Sequence, residues 1–240
     1  MEAIHGGDWA GYEREYGEKP LDFSANVSPL GMPETARAAA AQSLAEAGRY
    51  PDPRCRALRE ALAARHGVPS EQIVCGAGAA DLIWRLPRAL GPKSALVFAP
   101  GFAEYERALE AQGCKVRRYF PEEARDFSPG EELLTALGPD LDMAFLCQPN
   151  NPTGRLIEPE LLQRVWERCR QQGTVLVLDE CFLDFLPEPE RFSLIDRLSQ
   201  TLDLVLLRAF TKSHAMAGLR LGYALCGSAE LAAALDRCGP

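Results

Sequence analysis

Short apolar runs alternate with helical stretches over most of this chain. The runs lie at 73–75, 95–98, 142–147, 174–179 and 202–207, and helical stretches occupy roughly 79–89, 103–112 and 159–172. Strand alternating with helix implies βαβ units, because parallel neighbours are joined only through a crossover. The expected fold is therefore α/β, a mostly parallel central sheet with helices on both faces. Ligands of such sheets bind at the carboxyl ends of the strands. The polar motifs collect there: Asn151 follows the run at 142–147, Asp179 ends the run at 174–179, and Lys212 follows the run at 202–207.

The first part of the chain breaks this pattern. Residues 1–33 carry Gly6-Gly7, Gly11, Pro20, Pro29, Gly31 and Pro33 and read as an extended arm. An alanine-rich helix is expected over 34–47, opened by Pro33-Glu34, and an amphipathic helix over 54–66, closed by Gly67.

With 240 residues, 47% hydrophobic and 25% charged, the chain can bury a large core. A net charge of -8 argues against nucleic acid and offers no basic face to anionic membranes. No apolar run is long enough to span a bilayer, and the start Met1-Glu2-Ala3-Ile4-His5 shows no secretory signal, so a cytoplasmic protein is expected. None of the eight cysteines pairs at metal-knuckle or redox spacing, and none of the three histidines has a partner at ligand spacing. No metal site is expected, and the cysteines read as reduced, largely buried thiols.

Several short motifs remain. Gly76-Ala77-Gly78-Ala79-Ala80-Asp81 follows a strand and opens a helix, so its backbone amides suit a phosphate, though a plain turn is equally consistent. Phe102 follows the run at 95–98; it could stack on a planar ligand or simply anchor the next helix. Asn150-Asn151-Pro152-Thr153-Gly154 is rich in turn formers, yet two asparagines at a strand end need hydrogen-bond partners. Asp179 closes an apolar strand and needs a partner too, either a salt bridge or cap or a ligand cation; Glu180 points to the other side. Thr211, Lys212 and Arg220 together suggest a phosphate clamp beside a nucleophilic amine.

In this order the motifs resemble the fold-type I pyridoxal-phosphate enzymes, the class I/II aminotransferase superfamily, over about residues 20–235. The resemblance implies pyridoxal 5′-phosphate (PLP) as cofactor, Lys212 as the Schiff-base lysine and Asp179 as the partner of the pyridine nitrogen. It places Asn151 on the ring oxygen and Phe102 on the ring face. The phosphate would be held by the amides of Ala79 and Ala80 with Thr211 and Arg220. Tyr50 matches a tyrosine that reaches the neighbouring subunit's phosphate, which implies a homodimer. The implied division is an N-terminal arm and first helix over 1–47, forming part of a small domain, a PLP-binding large domain over 48–235, and the truncated start of a C-terminal region over 236–240, with the small C-terminal domain and its carboxylate-binding arginine missing.

Within the superfamily the sequence looks closest to the histidinol-phosphate aminotransferases and the threonine-phosphate decarboxylases of cobalamin biosynthesis. His5-Gly6-Gly7, the stretch Asp22 to Gly31 and the Pro100 to Tyr105 loop favour the decarboxylases. There His5 and Asn26, with Asn151, would lie near a small phosphorylated amino acid or amine. Phe182 stands where most aminotransferases carry a tyrosine. Ala209 replaces a common serine or threonine and forgoes a charge-assisted hydrogen bond of roughly 1.5–3 kcal/mol. Three outcomes follow: decarboxylation of threonine phosphate, transamination of a substrate such as histidinol phosphate, or an incomplete PLP-binding fragment without activity.

Overall fold

In a computed structural model, residues 7–239 are described. The helices are α1 (Trp9–Tyr16), α2 (Glu34–Ser43), α3 (Arg56–His66), α4 (Ala79–Leu90), α5 (Ala103–Glu110), α6 (Glu132–Ala136), α7 (Pro159–Gln172), α8 (Phe210–Ser213) and α9 (Ala229–Asp236). The strands are β1 (Ile73–Gly76), β2 (Ser94–Phe98), β3 (Lys115–Tyr119), β4 (Met143–Cys147), β5 (Val175–Asp179), β6 (Leu204–Ala209) and β7 (Gly222–Cys226). They form one sheet in the order β1-β7-β6-β5-β4-β2-β3. Six strands run in one direction, and β7 runs against them, pairing antiparallel with both β1 and β6.

Side-chain alternation along each strand splits the core into two layers. Leu176, Leu178, Leu204 and Leu206 pack with α3, α6 and α7 on one face. Val177, Val205, Leu207 and Phe145 pack with α4, α5 and α9 on the other. Both faces are covered, which is why the central strands read as continuous apolar runs. Each buried leucine or phenylalanine contributes about 1.5–3 kcal/mol of transfer free energy.

The register positions the site. Cys147 of β4 pairs with Asp179 of β5, so these two strands end level, and Asp179 pairs with Leu207 of β6, which runs on to Ala209. At the same edge Ala209 of β6 lies beside Gly222 of β7, and Gly222 beside Gly76 of β1. Because β7 is antiparallel, its first residue is at the edge where its neighbour β6 ends. That brings Arg220 to the carboxyl edge although it precedes a strand.

Three expectations need correction. The arm is not wholly irregular: α1 forms inside it, with Asp8 accepting the Gly11 N–H at 2.9 Å and Gly17 closing the helix in the left-handed region. A capped start and stop outweigh Gly11 within the helix. The alanine-rich helix ends at Ser43, and Leu44–Glu46 tighten into a 3₁₀ turn. The edge strand β3 was not expected, since Lys115-Val116-Arg117-Arg118-Tyr119 is mostly exposed and shows no apolar run.

Candidate active site

A cavity of about 390 Å³ opens at the carboxyl edge of the sheet, within the size range of small-molecule sites. Its wall includes Lys212, Thr211 and Arg220 from the segment between β6 and β7, and Asp179 from the end of β5. Asn151, Phe102, Ala79 and Ala80 line it as well. Eight residues from six separate places in the sequence thus face one space. Asn26 lies on an adjoining cavity of about 450 Å³ that also reaches Asn151. Tyr50 is fully exposed and lines neither cavity. His5 lies outside the described residues.

Asp179 is 4% exposed. Its Oδ2 accepts the Tyr105 hydroxyl at 2.6 Å and its Oδ1 the Cys181 N–H at 3.0 Å. Burial, and then the Asp179 charge, push the Tyr105 phenol and the Cys181 thiol well above their ordinary ranges, so both stay neutral. Among the described residues no cationic side chain pairs with Asp179, and it caps no helix. A buried carboxylate served by neutral donors suits a ring N–H⁺.

Glu180 faces the opposite layer, as strand alternation requires. Its Oε2 pairs with Arg208 at 2.7 Å and its Oε1 accepts the Ser193 hydroxyl at 2.7 Å. This pair braces β5 against β6 beneath the site.

The cup at the start of α4 rests on close backbone packing. Gly78 has φ +86°, and a Cβ there would meet the Arg220 guanidinium at 2.9 Å. A Cβ on Gly222 would meet Ala79 N and Gly78 C at 2.7 Å. Asp81 turns away from the cavity: it accepts the Ala77 N–H at 2.9 Å and holds Arg85 through two bonds of 2.9 and 2.6 Å. Gly78 gives α4 no side-chain cap, leaving first-turn amides for a ligand. Amides, a hydroxyl and a guanidinium are the donor set of a phosphate dianion.

The two asparagines divide their work. Asn150 is buried and braces the turn, its Nδ2 donating to Pro100 O at 3.2 Å and Thr153 Oγ1 at 2.8 Å. Asn151 is left to the cavity. Gln148 ties the turn to the next segment through bonds of 2.9 and 2.8 Å to Ile157. Phe102 and Tyr105 realise both readings of the aromatic loop: Phe102 lines the cavity and Tyr105 anchors the core. The Lys212 amine lies 5.4 Å from the Phe182 ring centroid.

Sequence reasoning missed Tyr105, Glu104 and Cys181, which also line the cavity. For Tyr105 a signal existed. It stands three positions after Phe102, so the two share one side of the first turn of α5.

The profile of the aminotransferase class I and II family matches residues 18–239. The chain belongs to that family. It is 43% identical over 224 residues to a threonine-phosphate decarboxylase of Salmonella typhimurium, an alignment covering 92% of this chain and 61% of that protein. It is 33% identical over 220 residues to a histidinol-phosphate aminotransferase of Cupriavidus pinatubonensis, covering 90% and 57%. Among solved structures, the histidinol-phosphate aminotransferase of Clostridium acetobutylicum superposes with a TM-score of 0.83 at 28% identity, over 92% of this chain and 65% of that one. The chain thus spans roughly three fifths of the length of these relatives. The family's cofactor is pyridoxal 5′-phosphate, and the donor cup, the buried carboxylate and the amine on one cavity fit it. No helix among the described residues is long and apolar enough to cross a membrane. No cluster of three or more His, Cys, Asp or Glu that could hold a metal ion occurs among them.

Proposed function

We propose that this chain is the cofactor-binding part of a PLP-dependent enzyme that decarboxylates L-threonine O-3-phosphate to aminopropanol phosphate. The observation that carries the PLP site is the meeting of Lys212, Asp179 and the α4 cup on one cavity. The choice of decarboxylation is supported by the 43% identity to a threonine-phosphate decarboxylase and by Phe182, which offers no hydroxyl beside the Lys212 amine.

Bound PLP supplies an electron sink for the bond broken at the substrate Cα. Lys212 Nζ would hold the cofactor and would supply the proton that takes the place of the carboxylate lost as carbon dioxide. Asp179 would keep the ring nitrogen protonated. Asn151 would bond the ring oxygen, and Phe102 would pack on the ring. The Ala79 and Ala80 amides, Thr211 and Arg220 would hold the phosphate, with Tyr50 contributed across a homodimer. His5 and Asn26 orient the phosphorylated substrate, selecting which Cα bond breaks.

The 33% identity to a histidinol-phosphate aminotransferase favours transamination of a phosphorylated amine as the second reading. Paired assays separate the two: carbon dioxide release from threonine phosphate, and 2-oxoglutarate-dependent turnover of histidinol phosphate. Release of carbon dioxide is expected, and transamination without it overturns the first reading. Borohydride reduction should tag the peptide containing Lys212. A tag on Lys19, Lys93 or Lys115 overturns the site.

A further inference from the structure

Tyr105 has a role that packing alone does not require. Its ring is 2% exposed, stacks on Phe145 with centroids 5.1 Å apart and meets Phe102 edge-on at 5.5 Å. A phenylalanine would fill the same space. The hydroxyl reaches past this packing to Asp179 Oδ2 at 2.6 Å, a length typical of an O–H bond to a charged acceptor. The ring packs from α5 onto Phe145 of β4 and against Phe102, which fixes the direction in which the hydroxyl points. On the other carboxylate oxygen, the Cys181 N–H occupies one acceptor site at 3.0 Å. A carboxylate has about four acceptor sites. Two are committed to the protein, and Asp179 presents the rest to the cavity it lines.

We infer that Tyr105 is a positioning residue for Asp179, fixing the orientation in which the carboxylate meets a protonated ring nitrogen. A rigid donor sets which oxygen is used and in what plane. The inference rests on the reading of Asp179 given above, and the test separates the two.

The test loads the 240-residue chain with PLP labelled with nitrogen-15 in the ring and compares Tyr105→Phe and Asp179→Asn with the unaltered protein. In the unaltered protein the ring nitrogen should resonate in the protonated range. Asp179→Asn should move it to the unprotonated range. Tyr105→Phe should move it part of the way and weaken cofactor binding about three- to tenfold, the range of one net hydrogen bond. An unmoved resonance in Tyr105→Phe, with Asp179→Asn displaced, overturns the role of Tyr105 and leaves Asp179 standing. An unprotonated nitrogen in the unaltered protein, or no displacement in Asp179→Asn, overturns the reading of Asp179 and the inference with it. A 3-fluorotyrosine placed at position 105 keeps the ring and hydroxyl and donates more strongly. It should tighten cofactor binding about twofold. An unchanged affinity there overturns the inference even if Tyr105→Phe does not fold.

Discussion

The backbone N–H of Ser28 donates to the carbonyl oxygen of Lys212 at 2.9 Å. The N-terminal arm is thereby tied to the residue proposed to carry the cofactor. Ser24, Ala25 and Val27 reach the same cavity wall, and Asn26 the adjoining one. One backbone hydrogen bond thus joins the arm residues at the cavities to the segment that carries Lys212.

Replacing Ser28 with proline removes that donor. Cofactor affinity should fall by about 0.5–1.5 kcal/mol, roughly three- to tenfold. A PLP titration followed in the visible band measures it, with far-ultraviolet circular dichroism unchanged. Full affinity in Ser28→Pro would show that the arm does not steady the lysine.

Gly222→Ala tests the cup. The new methyl would lie 2.7 Å from Ala79 N and Gly78 C, both backbone atoms. Relief requires shifting the start of α4 or β7, at a cost of about 1–3 kcal/mol. Thermal melting should register the loss, and PLP affinity should drop more steeply than in Ser28→Pro because the phosphate amides themselves move.

Glu180→Ala leaves Arg208 without its anion under the sheet. Glu180 is 1% exposed and Arg208 sits mostly buried beside it. Breaking such a pair costs about 3–5 kcal/mol. The melting temperature should fall sharply, whereas Glu180→Gln, which can still accept from Ser193 and Arg208, should lose less. A melting temperature unchanged by Glu180→Ala would remove this brace from the account.

His66 should make stability fall in acid. Its Nε2 lies 2.9 Å from the Tyr223 hydroxyl, and burial, then Arg208 and Arg65, push its pKa down to about 4 from 6.5. Between these values the unfolded chain binds a proton that the folded one refuses. The folded state is therefore favoured above about pH 6.5, and this contribution drains away as pH falls toward 4. The ring is partly reached by solvent, so the loss is roughly 1–2 kcal/mol. Denaturant unfolding at pH 7 and pH 4.5 measures it, and His66→Gln should flatten that part of the profile.

Much of the architecture was legible without a structure. Apolar runs that end in Asn151, Asp179 and a Thr211-Lys212 pair can only be satisfied by a sheet covered on both faces, and strand period alone sends Asp179 and Glu180 to opposite layers. Those are local properties: a period of two along a strand, a turn after it, and the cost of burying a polar group. What depends on strand order and sense was not legible. Only an antiparallel β7 between β1 and β6 carries Arg220 to the edge where Lys212 stands. Only the packing of α5 against β4 brings Tyr105 to Asp179, 74 residues away. Only docking of the arm joins Ser28 to Lys212. No periodicity encodes such contacts, because each pairs residues whose separation in sequence says nothing about their distance in space. The sequence by itself determined which side chains stand at the strand ends, and tertiary packing decided which of them meet.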